Sequence, residues 1–153
     1  MRLAFLAIRN AALGAVVAAL VAGAAAGGST VVTRAGISVS LPSGWRVLDK
    51  RLTPCVNPVE RLVATGNGAL VMVQEGLRPL FRARDFDPRP LRFALRGKPS
   101  PLECCAPARR AGWLLIFRDH GRGFYVYVYL GRPGTRAQTI EILNRLRVKR
   151  VSS

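Results

Sequence analysis

The chain has 153 residues, with 24 Lys+Arg against 8 Asp+Glu, a formal net charge of +16 and three cysteines. That length holds one domain, or one domain and a processing segment, and excludes a large multidomain enzyme. Half the residues are hydrophobic, but much of that is alanine near the N-terminus, so the figure overstates the core. Arginine outnumbers lysine 21 to 3, which looks more like a GC-rich coding bias than a selected patch.

Residues 1–26 carry the three parts of a secretory signal. Arg2 and Arg9 form the positive start, Ala11 to Ala26 is an uncharged Ala/Leu/Val run, and Ala22-Gly23-Ala24 and Ala24-Ala25-Ala26 offer small residues for cleavage. The alternative is an uncleaved anchor over residues 3–26. Sixteen uncharged residues fall short of the roughly 20 that span hydrocarbon, and extension to Leu3 draws Arg9 and Asn10 inside. Both readings export the rest of the chain to a periplasmic or extracellular place. No cysteine closes the run, so a lipid anchor is unsupported. Removal of residues 1–26 leaves a charge of +14, on a chain long enough to bury a core unaided.

Residues 27–35 read as a small, polar linker, and 36–151 as a single α+β domain. Ile37, Val39 and Leu41 alternate with serines, the pattern of a half-buried strand. Pro42-Ser43-Gly44 makes a turn into Trp45 to Leu48. Asp49 to Pro58 is a loop or short helix carrying Cys55. Glu60 to Thr65 and Ala69 to Glu75 flank Gly66-Asn67-Gly68, a hairpin signal. Leu77 to Pro90 is irregular and arginine-rich, and Leu91 to Leu95 reads as a short strand. Gly112 to Arg118 and Arg122 to Leu130 are strong strands joined by Asp119-His120-Gly121. A helix follows Gly134, with Thr135 and Gln138 placed for a capping box and Thr139, Ile142, Leu143 and Leu146 on one face. Glu141 and Arg145 form a favourable i,i+4 pair. Val148 to Val151 adds a last strand or frays. The hairpins make the sheet antiparallel, with the C-terminal helix packed on one face.

Export permits disulfides. Cys55 is expected to bridge Cys104 or Cys105, closing a loop of about 50 residues and stabilising the fold by roughly 4 kcal/mol. No Cys-x-x-Cys is present, and three cysteines with His120 lack zinc-ligand intervals.

Gly36-Ile37-Ser38-Val39-Ser40-Leu41-Pro42-Ser43-Gly44-Trp45 resembles the opening strand, turn and tryptophan of PsbP-like domains. Ile140-Glu141-Ile142-Leu143-Asn144-Arg145-Leu146 is similar to their closing helix, with Arg145 where that pattern favours serine. Phe117 to Arg122 also resembles a hairpin of uncharacterised exported bacterial proteins. The resemblance covers Gly36 to Val148 loosely. It implies an α/β/α sandwich around an antiparallel sheet, a fold that hosts interaction proteins more than enzymes.

Among chemical groups, His120 beside Asp119 could act as an oriented base, although a turn histidine in solvent is the plainer reading. No serine elbow, phosphate loop or paired-carboxylate motif accompanies it. Tyr125, Tyr127 and Tyr129 share one strand face, about 7 Å apart, and form either a stacking platform or rings packed beneath a loop. Basic residues concentrate between Arg78 and Arg110, net +6, and between Arg132 and Arg150, net +5. The leading expectation is therefore an exported, non-enzymatic binding or accessory domain of the bacterial envelope. Its basic surface, with Arg82, Arg84, Arg109 and Arg110, would hold an unknown protein, an anionic envelope component or a membrane surface. Nucleic acid and cofactors are not expected. The alternative is a thiol-dependent enzyme or redox partner using Cys104 or Cys105.

Overall fold

The structure, a computed structural model, describes residues 28–102 and 111–150. The segment 1–26, together with Cys104, Cys105, Arg109 and Arg110, lies outside the described residues. The fold is mixed α+β. Its strands are β1 (Thr30–Arg34), β2 (Ile37–Leu41), β3 (Trp45–Val47), β4 (Val59–Gly66), β5 (Ala69–Gly76), β6 (Ser100–Pro101), β7 (Ala111–Asp119), β8 (Arg122–Leu130) and β9 (Arg147–Val148). The helix α1 spans Arg136–Arg145 between β8 and β9.

Three hairpins share one turn chemistry. Ala35-Gly36, Asn67-Gly68 and His120-Gly121 all have positive φ, between 48° and 80°. Two successive left-handed residues match the twist of the strands they join. The Asn67-Gly68 and His120-Gly121 turns sit where the sequence places them. The Ala35-Gly36 turn corrects the linker reading: Thr30–Arg34 pairs antiparallel with Ile37–Leu41 and belongs to the domain.

β1, β2 and β9 form a small sheet, in that order. The larger sheet runs β3-β4-β5-β8-β7-β6. The core lies between the inner faces of both sheets and α1. Ile37, Val39 and Leu41 of β2 meet Val71 and Val73 of β5, Phe124, Val126 and Val128 of β8, and Ile142, Leu143 and Leu146 from the helix and its end. Alternation on the strands and the i, i+3, i+4 spacing on the helix thus converge on one apolar volume. The opposite face of the large sheet is covered by loops and single 3-10 turns rather than by a second α-helix among the described residues.

Two local expectations give way to tertiary contacts. Leu91 to Leu95 forms no strand: it opens on a bend at Leu91-Arg92 and joins no ladder. Phe93 and Leu95 plug the core, and the Phe93 N–H donates to Asn144 Oδ1 of α1 at 2.8 Å instead of to a strand. The capping box does not form. Thr135 has helical dihedrals and its hydroxyl donates to the Arg132 carbonyl at 2.7 Å. Gln138 Oε1 instead accepts the Trp45 indole N–H at 2.8 Å and an Asn67 amide N–H at 3.0 Å, tying α1 to the β2–β3 turn and the β4–β5 turn. Trp45→Phe keeps the ring and removes this donor, and is expected to lower stability by about 1 kcal/mol in urea denaturation.

Candidate functional site

The tyrosine face of β8 is not an open platform. Tyr127 is 4% and Tyr129 8% exposed, and only Tyr125 is half-buried. Val63 and Met72 lie beside Tyr127 and Tyr129, with Leu48, Leu52, Leu70 and Leu102 packed against them. The apolar residues of the β3–β4 loop thus claim the ring faces that a ligand would need. Burial raises the pKa of Tyr129, with a further push from Tyr127. No partner within hydrogen-bonding distance meets its hydroxyl among the described residues. These rings serve as a second, smaller core.

Tyr125 has a different use. The rings of Phe81 and Phe86 meet it edge-on, with centroids 5.6 and 5.3 Å away, and stand 6.3 Å from each other. Their seats are made by Gly76 and Gly123, which face one another across β5 and β8. A Cβ on Gly76 would come within 2.8 Å of Phe81, and one on Gly123 within 2.4 Å of Phe86. The paired glycines therefore open a hollow in the sheet surface for two phenylalanines. Burial raises the Tyr125 pKa, and the Asp85 carboxylate adds to the rise.

Between those anchors the chain makes a tight turn at Ala83–Asp85. The Arg82 N–H donates to Asp85 Oδ2 at 3.1 Å, the Phe86 N–H to the Ala83 carbonyl at 3.2 Å, and Arg118 Nη1 to the Phe86 carbonyl at 2.8 Å. With both phenylalanines turned inward, Arg82 and Arg84 turn to solvent. They join Arg78, Pro79 and Ala83 around an open cleft of about 510 Å³. Asp85 is the carboxylate within this turn, 3.9 Å from Arg84 Nε. Three guanidinium groups against one carboxylate leave the cleft cationic. Of the sequence-selected binding residues, the structure brings Arg82 and Arg84 together and places Tyr125 beneath them as a support.

A second charged cluster escapes sequence reasoning. Glu75 of β5 accepts from Arg122 of β8 through both oxygens, at 2.8 Å each, and from Arg61 Nε at 2.7 Å. Arg122 Nη2 also donates to the Ala35 carbonyl at 3.0 Å, and its guanidinium lies 5.2 Å over Phe124. This joins the large sheet to the β1–β2 turn. Burial pushes the Glu75 carboxyl up, but the hydrogen bonds and charges of Arg122 and Arg61 outweigh it and hold the group below the ordinary carboxylate range. Its sequence signal is weak, because the three residues lie on three strands with Glu75 and Arg122 separated by 47 positions.

His120 does meet Asp119: its Nδ1 lies 2.7 Å from Asp119 Oδ1. The other oxygen accepts from Arg89 Nη1 at 2.9 Å. Among the described residues the His120 ring makes no further hydrogen bond. Asp119 fastens the β7–β8 turn to the preceding loop. Cys55 is half-buried in the β3–β4 loop, where its carbonyl accepts from Arg51 Nη2 at 2.7 Å. No described helix is long and apolar enough to cross a membrane.

Fold and site together define an α+β domain of antiparallel sheets that presents an arginine turn clamped on aromatic rings. No family model, curated protein or solved structure matches the chain.

Proposed function

We propose that this is an exported, non-enzymatic binding or accessory domain of the cell envelope whose arginine turn engages an anionic partner. The observation that carries this reading is the cationic cleft of Arg78, Arg82 and Arg84, held on a turn fixed at both ends by Phe81 and Phe86. An exposed arginine on a free loop loses much side-chain and backbone freedom on binding, whereas a clamped turn has already lost the backbone share. Arg guanidinium groups also suit the planar oxygens of phosphate and carboxylate. Kinship with PsbP-like domains belongs to the same proposal, as does a bridge from Cys55 to Cys104 or Cys105.

The test compares full-chain protein with Arg78→Gln/Arg82→Gln/Arg84→Gln on vesicles of phosphatidylcholine with and without phosphatidylglycerol. The wild type should bind the anionic vesicles more tightly, with the excess lost in high salt. The triple variant should lose that excess by about tenfold or more, since each exposed cation near such a surface contributes about 1 kcal/mol. Soluble poly-glutamate serves as the polymer arm. If the wild type shows no salt-sensitive preference for either anionic probe, the reading fails.

A further inference from the structure

We propose that the outer edge of β7 accepts an extended acidic peptide as an added strand. The edge is defined by its two ends. At one end the Arg118 N–H donates to the Asp87 carbonyl at 2.6 Å and the Arg118 carbonyl accepts the Arg89 N–H at 2.9 Å. At the other end, Gly112 pairs with Ser100 of β6. Backbone groups alternate sides along a strand, so the N–H and C=O of Leu114 and Ile116 point to this same edge. Among the described residues no strand pairs with them there. Gly112 to Arg118 spans about 20 Å, and the gap leaves two donors and two acceptors in register.

The gap exists because the segment that would fill it is used elsewhere. Pro88 and Pro90 bring no N–H. Beyond them the chain dips toward α1, where Phe93 packs 5.1 Å from Phe117, and it returns under Trp113, whose indole N–H donates to the Arg96 carbonyl at 3.1 Å. What remains beside β7 is a groove of about 330 Å³ lined by Arg92, Phe93, Ala94, Arg96, Leu114 and Ile116.

The groove has the chemistry of a strand-binding site. Leu114 is 39% and Ile116 47% exposed, apolar contacts for alternate side chains of an incoming strand. Arg92 and Arg96 are exposed beside the groove, and no carboxylate lines it among the described residues. The occupant this selects is an acidic segment of a partner protein. A second copy of this chain would bring Arg92 and Arg96 to the same seam and add a net charge of +16, which opposes edge-to-edge pairing. The inference does not depend on the arginine turn.

The test titrates the full chain into a fluorescein-labelled peptide of about six residues that alternates Glu with Val, and reads anisotropy and amide exchange. The peptide should bind, and the Leu114 and Ile116 amides, fast-exchanging in the free protein, should become protected. Ile116→Pro removes an outward N–H while leaving the β8 ladder intact, and should weaken binding by about tenfold or more, as should Arg92→Glu/Arg96→Glu. If Ile116→Pro does not fold, the charge-reversal pair carries the test. In Arg78→Gln/Arg82→Gln/Arg84→Gln the peptide should still protect the Leu114 and Ile116 amides, a readout local to this edge, which separates failure here from failure of the arginine-turn reading. The proposal is overturned if the peptide does not bind, or if a Lys-for-Glu version binds equally. It is also overturned if the two amides are already protected in the free protein, or if sedimentation shows a dimer that Ile116→Pro abolishes.

Discussion

Glu75→Leu is expected to destabilise the domain by about 4 kcal/mol, and Arg122→Met by less, about 2–3 kcal/mol. The order follows from what each change leaves behind. Without Glu75, the Arg122 guanidinium, 7% exposed, stays buried with no counter-charge. Without Arg122, Glu75 keeps Arg61 at 2.7 Å and loses only part of its compensation. The double variant should cost clearly less than the sum, because both buried charges go together. Urea denaturation of the four proteins measures the cycle, and additive losses would mean that the pair does not act as a unit. The pH dependence has a defined sign. The folded-state pKa of Glu75 is lowered, so its contribution is present above the unfolded carboxylate value of about 4.3 and is lost as pH falls through the lower folded value. Stability at pH 3 should therefore drop less steeply in Glu75→Leu/Arg122→Met than in wild type.

The second large effect is expected at Phe86. Phe86→Ala should cost about 3 kcal/mol by emptying the hollow over Gly123, and should also free the arginine turn. The ring is 4% exposed and contacts both Phe81 and Tyr125 edge-on. Gly123→Ala approaches the same point from the other side. Its new methyl would lie 2.4 Å from Phe86, so the ring must leave or the strand must shift, a cost of about 1–3 kcal/mol. Both variants should show faster amide exchange through residues 81–86, and both should weaken anionic-vesicle binding although no arginine has changed. Unchanged exchange in both would mean that the rings do not hold the turn.

The parts of this fold that were legible in the sequence are those governed by neighbours. Asn67-Gly68 and His120-Gly121 combine residues that tolerate positive φ, and both are turns. The inward set Phe124, Val126 and Val128 follows from period two, as does the α1 face from its own spacing. Ala35 escapes because alanine carries no signal for a left-handed backbone, and the strand before it was hidden with it. Local spacing offers Gln138 to the helix cap, but its Oε1 accepts from Trp45, 93 positions away. The alternation of Phe93 and Leu95 is real, but periodicity reports which side is buried, not whether a neighbour pairs. For the candidate site, Arg82 and Arg84 were visible as charge. The glycine hollow beneath them was not, because Gly76 and Gly123 become partners only through the register of β5 on β8. The tyrosines showed their common face but not the loops that cover it.

The pairing of β2 with β9 also bears on how the chain reaches its native state. The β4–β5 and β7–β8 hairpins close over two-residue turns, but Ile37 pairs with Val148 across more than a hundred residues. Closing so long a loop is slow, and it draws α1 onto the same strand. The core facing β2 thus cannot seal until the C-terminal helix has been synthesised. A nascent chain would therefore leave the apolar face of β2 uncovered through most of its translation.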